Sequence, residues 1–494
     1  MTRRFYLDTV GCQMNVLDSE LVAAMLVGAG YVRVDRPDRA DLVLFNTCSV
    51  RQHAEDKIYS ALGRLKAWKQ QWPGRVLGVL GCMAQKDRER IFERAPHVDL
   101  VVGPGQLGLL PLLLDGLAVG GPPQIEVSLD RASGDRHAVR SSHARHVPVR
   151  DIQAASRAVP YQAMVRVMFG CDKFCSYCIV PSVRGPEQSR PADEIVDEVR
   201  RLADAGCVEV TLLGQTVNSY CDRSGLAPVR LADLLGRVHE IDGIRRLKFV
   251  TNHPRHMTDE LLQAMHELPK VSPYLHVPAQ SGSNAVLERM KRGYTVEAYR
   301  EMLARIRQFV PGAAVTSDFI VGFCGETEAE FQETVELVRH ARFKNSFIFK
   351  YSARPGTRAA ELFSDDVPES VKRRRNNELL AVQDAISLED NQPYLGRTVE
   401  VLVEGPSKAA KKRRRNRADD AARPHPNPLP PGEGTFFGPD ALWAGLQDAV
   451  QLVGRTTCDR IVVFDGPERW TGRILPVAVE KIDAFTLFGK PVAP

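Results

Sequence analysis

With 494 residues the chain has room for roughly two to four domains, each able to bury its own core. Its 44% hydrophobic and 26% charged residues are the balance of an ordinary soluble globular protein, which argues against a disordered chain. Ten cysteines are too sparse for a disulfide scaffold, and a net charge of +5 permits a nucleic-acid partner without demanding one.

The start, Met1-Thr2-Arg3-Arg4-Phe5-Tyr6-Leu7, enters a strand pattern directly, without the apolar core of a signal peptide, and no apolar run reaches the length of a membrane span. The expectation is a cytoplasmic protein with no membrane partner and with reduced cysteines that bind metal.

Residues 1–118 alternate between strand and helix patterns, with strands over 4–8, 41–45, 76–80 and 98–102 and helices over 15–28, 51–72 and 86–93. Such alternation predicts an open parallel α/β domain. Each of the first three strands ends in a cysteine: Cys12, Cys48 and Cys82. The carboxyl ends of parallel strands share one edge, where helix N-termini stabilise anions, so three thiolates can meet there and hold a cluster. The bland alternative is small cysteines filling tight turns. Residues 119–157, rich in Gly, Pro, Ser, Arg and His, read as a linker in which His137, His143 and His146 are solvated.

Alternation returns over 158–393, with strands at 164–169, 208–213, 246–250, 274–277, 314–321 and 346–351. Helices fall at 191–205, 231–240, 259–268, 283–291, 296–309 and 326–340, the pattern of a partial (β/α)6 barrel with its site at the carboxyl ends of the strands. Directly after the first of these strands come Cys171, Cys175 and Cys178, spaced C-x3-C-x2-C. Three thiolates on a cubane iron–sulfur cluster leave one iron open to a small molecule, whereas zinc would want a fourth ligand that Ile179 to Ser182 do not supply. Other strand ends carry Gly214, Gln215 and Asn218, Thr251, and Gln280 with Ser281, a ring of polar groups suited to an adenosyl and amino-acid ligand.

Residues 394–490 show short strands at 398–403, 460–464, 473–479 and 484–488, separated by glycine turns, as in a small all-β barrel of the kind that holds oligonucleotides. A basic and Pro-rich stretch over 407–450, containing Lys411-Lys412-Arg413-Arg414-Arg415, interrupts it and reads as a disordered insertion able to touch RNA phosphates. A solvated charge block is the competing reading. Cys207, Cys221, Cys324 and Cys458 have no partners at ligand spacing.

Asn46-Thr47-Cys48-Ser49-Val50-Arg51, Gly81-Cys82-Met83-Ala84-Gln85, Arg184-Gly185-Pro186-Glu187-Gln188-Ser189-Arg190-Pro191, Gln280-Ser281-Gly282-Ser283 and Tyr351-Ser352-Ala353-Arg354-Pro355-Gly356-Thr357 stand together in this chain. On these motifs, over nearly its whole length, it resembles the methylthiotransferase family of radical S-adenosylmethionine enzymes, and Ser49-Val50-Arg51 is similar to the branch acting on isopentenylated adenosine in tRNA. Cys324 stands where the family commonly has Pro, and the 407–450 insertion is atypical.

The resemblance implies two [4Fe-4S] clusters. One, on Cys171, Cys175 and Cys178, binds S-adenosylmethionine and cleaves it to a 5′-deoxyadenosyl radical; the other, on Cys12, Cys48 and Cys82, carries the sulfur. It further implies a radical SAM core and a C-terminal TRAM (OB-like) barrel, with the anticodon stem-loop of tRNA, an electron donor such as flavodoxin or ferredoxin, and a sulfur donor as partners. The alternatives are a methylthiotransferase acting on a ribosomal protein and a non-catalytic, metal-containing RNA-binding protein.

Overall fold

The computed structural model describes residues 3–49, 52–127, 159–421 and 449–492. Val50, Arg51 and the three linker histidines lie outside them.

The N-terminal sheet consists of β1 (Arg4–Val10), β2 (Val32–Arg33), β3 (Leu42–Thr47), β4 (Val76–Leu80), β5 (Leu100–Val102) and β6 (Gln124–Glu126), all parallel, in the order β2-β1-β3-β4-β5-β6. On β3, Leu42 and Leu44 point into one core and Val43 and Phe45 into another. Burial on both faces is why this strand reads as an unbroken apolar run. The register pairs Val10 with Thr47 and Asn46 with Leu80, so the turns holding Cys12, Cys48 and Cys82 emerge side by side.

Two expectations for this region are corrected. The helix expected over 51–72 is divided at Leu65 into Gln52–Arg64 and Lys66–Gln71, and that over 86–93 into Cys82–Asp87 and Arg90–Arg94, where Arg88 takes a positive φ of 49°. The sheet also runs past residue 118. β6 adds an edge strand with Gln124 N–H on Asp99 O (2.8 Å) and Gly103 N–H on Glu126 O (2.8 Å), too short to show a period beside Gly120-Gly121-Pro122-Pro123.

The central region contributes β7 (Gln162–Arg166), β8 (Glu209–Leu213), β9 (Arg246–Phe249), β10 (Tyr274–His276), β11 (Ala314–Val321) and β12 (Asn345–Lys350). They form two parallel sheets, β9-β8-β7 and β10-β11-β12, joined by a parallel bridge from Leu247 to Val271. Alternate residues such as Val165, Val210, Leu212, Leu247, Leu275, Phe319 and Val321 pack under the helices. Those helices are amphipathic: Ala192–Asp204 buries Ile195, Val196, Val199 and Leu202.

The other strand face is inner and mixes polar with apolar side chains, and an outside helix covers part of it. The helix Gln13–Gly28 lays Met14 and Leu17 against Leu213, with Met164 and Val250 alongside. Its fully buried Asp18 accepts from Arg166 and Arg184 at 2.8 Å each.

A helix that periodicity did not predict, Glu369–Asn391, packs behind β12. Its buried face is largely polar, with Lys372, Arg375, Gln383, Ser387 and Asn391 beside Leu379 and Ile386, so no apolar stripe marked it.

Five strands, β13 (Thr398–Pro406), β14 (Ala449–Thr456), β15 (Ile461–Pro467), β16 (Ile474–Ile482) and β17 (Thr486–Pro491), close a small barrel in the order β13-β14-β15-β17-β16. It docks at the amino ends of the central strands. Asp459 accepts from Arg455 (2.9 Å) and from Lys248 (3.2 Å), with Lys344 at 3.4 Å, while Arg246 donates to Arg455 O (2.8 Å) and Glu400 O (3.2 Å).

The insertion is not irregular from its start. Lys408–Ala421 is a helix, favoured by its Ala, Lys and Arg content and begun by Ser407, whose Oγ accepts from Ala410 N–H at 3.1 Å. Among the described residues no helix is long and apolar enough to cross a membrane.

Candidate metal centres and the contact between them

The first cysteine set sits on the turn leaving β7. Gly170 has φ +62°, and a Cβ there would stand 2.0 Å from Pro186 O and 2.4 Å from Gly185 O, so only glycine lets the loop fold back to set Cys171 N–H on Gly185 O (3.1 Å). Ser176 pins the loop from the other side, its N–H on Met290 O (3.0 Å) and its Oγ on Arg289 O (2.8 Å). Arg292 Nη1 donates to Cys175 Sγ (3.2 Å), and Thr216 Oγ1 lies 3.5 Å from Cys171 Sγ. Burial pushes the Cys178 thiol up to about 12 and raises that of Cys171, so as free thiols they stay protonated; ligation to a cation offsets that burial penalty.

Gly170→Ala is therefore expected to unfold this loop alone. Iron and sulfide counted after anaerobic reconstitution fall by one cluster while the far-ultraviolet circular dichroism is kept; full iron loading would show the turn is not obligatory.

The second set converges at the carboxyl edge of the N-terminal sheet. A Cβ on Gly11 would lie 2.9 Å from Cys48 Cβ, which shows how closely the first two turns approach. Cys12 is the N-cap of Gln13–Gly28, and Cys82 opens Cys82–Asp87, so both meet helix N-termini. Hydrogen bonding to Cys48, together with the Arg184 charge and helix N–H groups, pulls the Cys12 thiol down to about 6, whereas burial raises that of Cys82. Despite its own burial, Arg184 is held charged by Cys82, Asp18 and Cys12. From the central region Arg354 Nη1 reaches Ser49 O at 3.2 Å. Thr47 Oγ1 and Ser49 Oγ, on either side of Cys48, are buried without a hydrogen-bond partner among the described residues.

This donor set suits a thiolate-bound, anionic cluster: three cysteines, two guanidinium groups and two unspent hydroxyls. Among the described residues no three Cys, His, Asp or Glu side chains are arranged as the shell of a single metal ion. A cubane differs in this respect, because each thiolate binds a different iron and the sulfurs stand farther apart.

The two sets face one another. Ile179, next to Cys178, and Val183 pack on Cys82, and Arg184 ends that same short helix, Val180–Arg184.

The polar residues expected round a ligand divide into two groups. Gly214 O accepts from Thr251 Oγ1 (2.6 Å), Gln215 is half-buried beside them, and Thr251 and Gln280 both hold positive φ (64° and 71°), strain of a kind that collects at functional sites. Asn218 and Ser281 are already engaged. Asn218 clamps His253 through Nδ2 on O (2.9 Å) and Oδ1 under N–H (2.8 Å), and Ser281 Oγ serves Thr334 (3.3 Å) and Ser283 N–H (3.2 Å).

Cys324 is buried among Phe323, Tyr351, Val286 and Met290 as a small apolar filler. Sequence reasoning missed Arg292 and the roles of Arg184 and Arg354. The latter two lay inside quoted motifs, but nothing in their spacing tied Arg184 to Cys82 or Arg354 to Cys48, both far away in the chain.

Two family models match parts of the chain. Residues 4–103 match the model of "Uncharacterized protein family UPF0004" and residues 165–338 that of the radical SAM superfamily. The tRNA-2-methylthio-N(6)-dimethylallyladenosine synthase of Rhodopirellula baltica is 54% identical over 490 residues, covering 99% of this chain and 96% of that one. The synthase of the same name from Moorella thermoacetica is 39% identical over 492 residues, covering 99% and 98%. Among solved structures, a radical S-adenosylmethionine methyltransferase from Kitasatospora setae with cobalamin and a [4Fe-4S] cluster bound matches at a TM-score of 0.50 and 15% identity, covering 73% of this chain and 77% of that one. That last likeness is one of fold.

Proposed function

The chain belongs to the tRNA-2-methylthio-N(6)-dimethylallyladenosine synthase family of radical S-adenosylmethionine enzymes, and on that footing we propose that it inserts a methylthio group at C2 of N6-dimethylallyladenosine beside the anticodon of tRNA. The observation that carries this reading is the opposition of two cysteine triplets across the Ile179–Cys82–Val183 contact.

In this reading Cys171, Cys175 and Cys178 hold one [4Fe-4S] cluster and Cys12, Cys48 and Cys82 a second. When bound, the two supply the electron that cleaves S-adenosylmethionine and the sulfur that is transferred. The chain's own residues position and shield. Arg292 braces Cys175 and Tyr294 from behind, and Arg184 and Arg354 bring positive charge to the second triplet. Gly214, Gln215, Thr251 and Gln280 are assigned to the S-adenosylmethionine pocket, while Asn218 and Ser281 support it from behind.

The six central strands are read as a partial barrel and the C-terminal barrel as a TRAM-like module that grips RNA, with an electron donor and a sulfur donor as further partners. Nucleoside mass spectrometry of tRNA from cells with and without the gene tests the reading. The methylthio nucleoside is expected to vanish on deletion, leaving its dimethylallyl precursor, and its persistence would refute the assignment.

A further inference from the structure

Among the described residues the inner face of β10, β11 and β12 keeps two half-exposed aromatic rings, where the neighbouring rungs of β7 to β9 are covered. In register, Tyr274 and Ala314 share a rung; so do His276, Thr316 and Asn345; then Asp318 and Phe347; then Ile320 and Phe349. The rungs of β7 to β9 lie under the helix Gln13–Gly28, and the lowest rung meets the C-terminal barrel through Lys344 and Asp459. On the open rungs Phe347 is 50% and Phe349 38% exposed, an unusual state for aromatic side chains in the interior of a parallel strand.

These rings belong to a built surface. His276 is fixed by Nδ1 to Thr316 Oγ1 (3.0 Å), stands 3.5 Å through Nε2 from the Asp318 carboxylate, and meets Phe347 edge-on at 6.4 Å. Ile320, one rung above Asp318, packs in the group that includes Tyr177, the residue just before Cys178. Two residues along a strand advance about 6.6 Å, so the Asp318–Phe347 rung lies one step below the first cysteine loop.

We propose that this open rung is the seat of the N6-dimethylallyl adenine, with Phe347 and Phe349 as the residues that select it; the proposal rests on the function inferred above. An N6-alkylated adenine offers an apolar five-carbon branch, two π faces and one remaining N6–H. The two phenyl rings suit the branch and one face of the base, and the Asp318 carboxylate, steadied by His276, accepts the N6–H. Plain adenine lacks the branch and leaves the second ring wet.

Two synthetic anticodon stem-loop RNAs, identical except for dimethylallyladenosine or adenosine at one position, are titrated into the reconstituted full-length protein and followed by fluorescence anisotropy. Wild type is expected to favour the alkylated loop by about tenfold or more. Phe347→Ala brings that ratio to within about twofold, and Phe349→Ala, an independent check, lowers it severalfold. Thermal melting confirms that each variant is folded, as half-exposed positions allow. An unchanged ratio in both folded variants overturns the proposal alone. A wild type that methylthiolates the alkylated loop but binds both loops equally also overturns it and leaves the function standing. A wild type that neither prefers nor modifies the alkylated loop removes both.

Discussion

Cys175→Ala is expected to abolish reductive cleavage of S-adenosylmethionine, whereas Cys48→Ala leaves cleavage in place and stops methylthio transfer. Cys175 is buried, is braced by Arg292, and sits in a loop tied by backbone hydrogen bonds to Gly185 and Met290, so no other thiol can take its place without remaking the turn. Loss of an outer-shell partner alone typically costs about 10- to 100-fold at a metal site, and loss of a direct thiolate exceeds that. Cys48 belongs to the other edge, on the turn after β3, where its N–H donates to Val10 O at 2.9 Å. 5′-Deoxyadenosine and methylthio product, measured in the same reaction, separate the two effects. Product from the Cys48 variant would end the division of labour, and cleavage by the Cys175 variant would move the radical site elsewhere.

Asp18→Ala is expected to cost about 3–5 kcal/mol, the penalty for leaving buried charges without a partner. Asp18 is fully buried with Arg166 on one carboxylate oxygen and Arg184 on the other, both at 2.8 Å. Removing it takes from two buried guanidinium groups the one carboxylate that both are bonded to. The intact triad is not credited with an equal stabilisation, since desolvating three charges offsets most of their attraction. Its contribution is placement, because Asp18 stands on the first helix of one region and its partners on β7 and on the helix after Cys178. Urea unfolding followed by tryptophan fluorescence gives the cost. A loss below about 1 kcal/mol would mean that the arginines find other partners and that the interface does not depend on the triad.

How much of this could be read in the residues differs by element. β3, β4 and β11 were legible because Leu42 to Phe45, Val76 to Leu80 and Ala314 to Val321 are apolar on the faces that must be buried. Both cysteine triplets were legible because strand ends and sulfur chemistry constrain each other. The helix Glu369–Asn391 was hidden by its polar contacts: Gln383 Nε2 donates to Phe343 O (2.7 Å) and Arg375 Nη1 pairs with Glu326 (2.9 Å), so burial there does not look hydrophobic. Arg184 and Arg354 were visible as motif residues but mute as to role, since their partners on the Cys82 and Cys48 turns are neighbours only in the folded chain. Asn218 and Ser281 already hold partners within the protein, since a polar side chain at a strand end serves loop architecture as readily as a ligand.

The mooring of the C-terminal barrel through Asp459 sets a length scale for the whole molecule. With Lys248, Lys344 and Arg455 all drawn to one carboxylate, and with Arg246 donating to two barrel carbonyls, the barrel is held to β9 and to the start of β12, while the cysteine loop leaves the carboxyl end of β7 in the same sheet as β9. The strands are then a fixed spacer. On the function proposed above, an RNA gripped at the barrel would present to the cysteines the nucleotide that lies one strand-length away along its fold. Choice of position in the loop thus becomes a matter of calibration, and loosening the Asp459 mooring would blur the address before it slowed the chemistry.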